Sequence, residues 1–74
     1  MEISTFIEKF AEAIEADDAS KITTETNFRE MNEWNSLSYL SVISWLEDDF
    51  DIQIEGTEFK RLKTIQDIYD KVMN

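Results

Sequence analysis

Three separate stretches of this chain repeat their large apolar residues at helical spacing, and that restricts the fold more than any other feature. Ile3, Phe6, Ile7, Phe10 and Ile14 form the first stripe. Tyr39, Val42, Ile43, Leu46 and Phe50 form the second, and Ile65, Ile68, Tyr69 and Val72 the third. Residues three, four and seven apart share one face of a helix, so each stripe needs another element to cover it. Only Asp51-Ile52-Gln53-Ile54 alternates as a strand would, and with no second strand to pair with it reads as extended loop. The expected fold is all-α: a small bundle of three main helices plus one short helix, one domain over residues 1–74.

Helix-start signals place the boundaries. Thr5 with Glu8 makes a capping-box pattern, with a start one or two residues earlier as the alternative, and the first helix is expected to end near Glu15 or Ala16. Asp17 to Trp34 has no sustained period, which makes a long loop between the first and second helices. Its expected anchors are Ile22, Phe28 and Met31, with a short turn around Phe28 to Met31. Gly56, the only glycine, marks a turn; Thr57 to Lys60 reads as one short helical turn with Phe59 and Leu62 inward. Thr64 caps the last helix, with Asp67 at its third position.

Composition removes most chemistry. The chain has no cysteine and no histidine, so neither a Ser-His-acid triad nor an ordinary His/Cys zinc site can be built. An EF-hand loop needs Gly at its sixth position and Glu at its twelfth; counted from Asp48 these are Gln53 and Phe59, so no metal site is expected. The net charge of −10 disfavours nucleic acid and anionic membranes and favours partners with basic surfaces. No basic segment followed by an apolar run opens the sequence, and no apolar stretch approaches a bilayer span. The reading is a cytoplasmic, monomeric protein without catalysis of its own.

The second stripe begins at Glu33-Trp34-Asn35-Ser36-Leu37. Asn35 and Ser36 are both good N-cap residues, and only one can cap; Asn35 is the better candidate. Ser36 then becomes the first helical residue, its hydroxyl not needed by the backbone and surrounded by unpaired N–H groups. A phosphate ester there would gain about 0.3–1 kcal/mol from the helix N-terminus. The plainer alternative is that Ser36 is only a cap. Leu37, Ser41, Ser44 and Asp48 fall on the face away from the core, which turns an apolar side chain, Leu37, toward water.

Trp34-Asn35-Ser36-Leu37, then Leu46-Glu47-Asp48-Asp49-Phe50-Asp51-Ile52-Gln53-Ile54, then Thr64-Ile65-Gln66-Asp67-Ile68, together resemble the acyl carrier protein family over nearly the whole chain. The family pattern is an Asp-Ser-Leu triplet at the head of the second long helix, an acidic pair with Phe at its end, an apolar extended segment and a Thr-capped last helix. The resemblance implies that a phosphopantetheinyl transferase attaches phosphopantetheine to Ser36 through a phosphodiester. Acyl, aminoacyl or polyketide groups would then be carried as thioesters. It also implies that Asn35, Leu37, Leu40, Glu47 and Asp48 meet basic docking patches of loading ligases, synthases or transferases. Asn35 replaces the usual Asp, Ser38 and Ser41 stand where fatty-acid carriers commonly have acids, and Trp34 precedes the triplet. In these respects the chain is similar to specialised carriers. Trp45 lies off the core stripe and is expected under the long loop. The rival reading is an unmodified acidic helical adaptor that binds a basic protein surface.

Overall fold

The first stripe forms α1, Ile3–Ala13, in the computed structural model, which describes residues 1–73 of the chain. Phe6, Phe10 and Ala11 are its buried residues. The helix starts ahead of the expected cap: Glu2 is the N-cap residue, and no side chain caps that end. Thr5 and Glu8 therefore both lie inside α1, and no reciprocal side-chain bonds form between them among the described residues. The helix also stops before Glu15. That residue takes a left-handed conformation (φ 57°), and the N–H groups of Glu15 and Ala16 donate to the carbonyls of Glu12 (3.1 Å) and Ala11 (2.9 Å). This is a Schellman ending built without glycine.

The long crossover contains two single 3₁₀ turns, Ala19–Lys21 and Phe28–Glu30. Each is opened by a short acceptor side chain: Asp18 takes the Ser20 N–H and Asn27 the Arg29 N–H, both at 3.0 Å. Ile22 and Phe28 are buried, and Met31 is half-buried against the core. Polar bonds complete the anchoring. The Ile65 N–H donates to the Thr26 carbonyl (3.3 Å) and the Gln66 N–H to the Thr24 carbonyl (3.0 Å). Arg29 Nε donates to the Leu62 carbonyl (3.0 Å), and its Nη2 donates to the Phe59 carbonyl. A stretch without apolar periodicity is thus fixed largely through backbone oxygens.

α2 runs Ser36–Phe50, α3 is the short helix Gly56–Phe59, and α4 spans Ile65–Met73. α2 ends on Asp51, which is left-handed (φ 53°) and returns its N–H to the Glu47 carbonyl (3.0 Å). Both left-handed residues are acids, whereas Gly56 has no positive φ and opens α3 instead of making the turn. The following segment, 52–55, forms neither helix nor named strand among the described residues, and Ile54 in it is buried. At α4 the capping box does form. Thr64 Oγ1 accepts the Asp67 N–H (3.2 Å), and Asp67 Oδ2 accepts the N–H groups of Lys63 (3.0 Å) and Thr64 (3.1 Å). Those donors, Lys63 first and Thr64 second, hold the Asp67 carboxyl below its ordinary pKa.

Four fully buried phenylalanines, Phe6, Phe10, Phe28 and Phe59, join the helices. Phe28 meets Phe10 and Phe59 edge-on at 6.0 and 5.6 Å, and Phe6 meets Tyr69 edge-on at 5.1 Å. Each such pair adds about 0.5–1.5 kcal/mol beyond its burial. Trp45 belongs to this network: it lies 4.9 Å from Phe6 of α1 and bonds Asp49 through Nε1 (2.9 Å). It packs on α1, not under the crossover, because α2 presents a core face broad enough to include it.

Candidate functional site

The head of α2 divides its polar groups between structure and solvent. Asn35, with extended backbone (φ −156°), is the N-cap residue; its Oδ1 accepts the Ser38 N–H (3.0 Å) and its carbonyl accepts the Tyr39 N–H (2.9 Å). Ser36 is the first helical residue and is exposed. Its hydroxyl has no hydrogen-bond partner among the described residues, and neither do the amides of Ser36 and Leu37. α4 is the contrast, since there the crossover carbonyls and the Thr64–Asp67 box take the corresponding amides. A helix end with free amides and a free hydroxyl suits a covalently attached phosphate.

Ser38 is a site residue to which sequence reasoning gave no structural role. It is only 6% exposed, and its hydroxyl donates to the Glu33 carbonyl and lies 3.4 Å from Asn35 Oδ1. Ser38 ties the approach segment to the helix and so fixes where Ser36 stands. The signal was its spacing: Ser38, Val42 and Leu46 follow one another at four-residue intervals, and all three are buried.

Two of the grooves around α2 bear on this end. One, about 690 Å³ and open to solvent, lies between α1 and α2; Leu37, Leu40, Ser41 and Asp48 line it opposite Lys9 and Glu12. Leu37 is 76% and Leu40 59% exposed, so both remain apolar groups in water. Asp48 shares that groove with them, whereas Glu47 does not: its carboxylate accepts from Gln53 Nε2 (3.2 Å). The other groove, about 430 Å³, is lined by Asn35 and Ser36 together with Trp34, Tyr39 and Phe59. Trp34 stacks on Phe59 (6.1 Å, 6° between planes), and Tyr39 meets Phe59 edge-on at 5.1 Å. The site thus offers one unengaged hydroxyl between an apolar face and an aromatic groove. No imidazole or thiol exists in the chain to activate that hydroxyl.

A family model described as a phosphopantetheine attachment site matches residues 4–72. The chain belongs to the acyl carrier protein family. An acyl carrier protein of Thermosynechococcus vestitus is 36% identical over 78 aligned positions, covering all of this chain and 95% of that protein. One from Streptococcus pneumoniae is 45% identical over 51 residues, 69% of this chain and 65% of that protein. As a member of the family, the chain carries acyl groups on covalently attached phosphopantetheine and is not an enzyme. The prosthetic group supplies the thiol, absent from the chain, on which acyl groups are held as thioesters. Its partners include the modifying transferase and acyl-processing enzymes. Among the described residues, no helix is long and apolar enough to cross a membrane.

Proposed function

We propose that Ser36 is the attachment residue, that residues 1–74 act as one cytoplasmic carrier domain, and that α2 presents the docking surface. The observation that carries this is the division of labour at the head of α2: Asn35 caps the helix through the Ser38 N–H, the Ser38 hydroxyl ties down the Glu33 carbonyl, and the exposed Ser36 hydroxyl is left unengaged. During loading Ser36 Oγ would lose its proton and attack the pantetheine-side phosphorus of coenzyme A, forming the phosphodiester as the pyrophosphate P–O bond breaks and 3′,5′-adenosine diphosphate leaves. Asn35 then serves as a positioning residue.

The docking face is graded. Leu37 and Leu40 are exposed near Ser36, Ser38 is buried, Ser41 is neutral, and Glu47, Asp48 and Asp49 are exposed at the far end. Such a face suits a partner with an apolar contact near the attachment residue and basic groups at the distal end of α2. Fatty-acid carriers commonly have acids at the positions of Ser38 and Ser41, so this gradient favours a specialised pathway with dedicated enzymes. The unmodified adaptor reading has no observation in its favour beyond Asn35.

Intact-mass measurement after incubation with coenzyme A and a promiscuous transferase tests the assignment. The wild type should gain one phosphopantetheine, Ser41→Ala should gain the same, and Ser36→Ala should gain nothing. A wild type that stays at its sequence mass, or fragment masses that place the group on another serine, would reject Ser36. For docking, Glu47→Gln with Asp48→Asn should slow association with the partner and flatten its salt dependence.

A further inference from the structure

The grooves around α2 differ in sign. Those on the α1 side are lined by carboxylates, Asp48 and Asp49 in one and Glu15 and Glu33 in the other, with Glu12 in both. The groove that Ser36 lines has no carboxylate; its charged residues are Arg29 and Lys60. In a chain of seventeen acids and seven bases, the groove that Ser36 itself lines is positive. Lys9 and Lys71 are ion-paired to Asp49 and Glu58, whereas Arg29 and Lys60 are in no ion pair among the described residues. Arg29 is also held in place. It donates to the Leu62 and Phe59 carbonyls, and its guanidinium carbon lies 5.1 and 5.4 Å from the ring centroids of Phe28 and Phe59. This fixes the cation without neutralising it and leaves further N–H donors unused.

Trp34, Tyr39 and Phe59 supply the groove's aromatic lining. Gly56 lines it too, and a Cβ there would stand 3.9 Å from the Tyr39 hydroxyl, so a side chain as large as leucine would occupy space within the groove.

We infer that this groove seats the root of the arm: Arg29 and Lys60 face its phosphodiester, and Trp34 and Tyr39 pack against the dimethyl-bearing carbons next to it. The inference rests on Ser36 being the attachment residue. Phosphate is a fixed anion at neutral pH, and two unpaired cations in an acid-free groove are its natural complement. The arm then leaves α2 away from Leu37 and Leu40, so the docking face and the arm's root occupy different sides of one helix.

The test loads the protein from coenzyme A carrying ¹³C-labelled geminal methyls and records intact mass before the spectra. In fully loaded wild type, the methyls should show nuclear Overhauser contacts to the Trp34 and Tyr39 rings. Lys60→Arg should retain them. Lys60→Glu should weaken them about fivefold, the upper range for one exposed ion pair, and Gly56→Leu should abolish them. Arg29 is left intact because its removal would also release the Phe59 and Leu62 carbonyls. Fully loaded wild type without contacts to either ring, or contacts unchanged in Lys60→Glu, would overturn the seat while leaving the carrier assignment standing. Failure of wild type to load removes both, and the mass alone distinguishes that case.

Discussion

Replacing Asn35 by Ala separates the structural role at the head of α2 from the chemical one. The substitution removes the acceptor of the Ser38 N–H at 3.0 Å and the oxygen 3.4 Å from the Ser38 hydroxyl. Losing an N-cap costs about 1 kcal/mol, with a range of roughly 0.5–2. Because Ser38 is 6% exposed, water replaces the lost acceptor poorly, which places the cost in the upper half of that range, about 1.5 kcal/mol. For a domain of this size that lowers the melting temperature by about 6–12 °C. Ser36→Ala deletes a hydroxyl with no partner and should stay within about 0.5 kcal/mol of wild type. Asn35→Asp keeps the acceptor and adds charge at the positive end of the helix, so it should equal or exceed wild type by about 0.3–1 kcal/mol. Thermal and urea melts followed by circular dichroism, on protein made without a transferase, measure all three. A Ser36→Ala loss as large as that of Asn35→Ala, or a silent Asn35→Ala, would show that Ser36 caps the helix and refute the division of roles.

Three further outcomes follow from the fold. Glu15→Gly relieves a left-handed position that costs a non-glycine residue about 1–2 kcal/mol, against about 0.5–1 kcal/mol of added chain entropy; urea melts should show a gain of about 0.5–1 kcal/mol, and a loss would contradict the Schellman ending. Phe59→Ala removes a buried ring that touches Phe28, Trp34 and Tyr39 and should cost about 3–5 kcal/mol, leaving the protein largely unfolded by near-ultraviolet dichroism; a native spectrum would contradict it. Asp67 is held below its ordinary value of 3.8 by the Lys63 and Thr64 amides, so its contribution is complete above that value and is lost as the pH falls through the lower folded one. Melting temperature should therefore drop below about pH 4, and Asp67→Asn should make that drop shallower; an unchanged profile would count against it.

The helices were legible because a period near 3.6 shows directly in Phe6, Phe10 and Ile14 or in Ile65, Ile68 and Val72. The two capping boxes show where such reading stops. Thr64–Asp67 forms because Thr24 and Thr26 supply carbonyls to the next two amides, whereas Thr5–Glu8 is overtaken by a helix that starts at Ile3. Nothing local marks that difference. Arg29 was equally opaque, since its acceptors are backbone oxygens 30 and 33 residues away. Residue type misled in the turns: the lone glycine opens a helix, and Glu15 and Asp51 take the left-handed positions. At the site, capping preference pointed to Asn35 and Ser36, while Ser38 was hidden by being a serine on a ridge of aliphatics. The sign of the Ser36 groove was invisible because only tertiary structure brings residues 29 and 60 together.

The bonds from the Ile65 and Gln66 amides to Thr26 and Thr24 make the crossover and the last helix a single mechanical unit. Neither can peel away without stranding the other's polar groups, so their amides should exchange with deuterium in one shared event, at a rate distinct from that of the middle of α2. A protease cut near Thr24 would then loosen the far end of the chain as well. Breathing of the fold would proceed through this clasp while α2 keeps its shape.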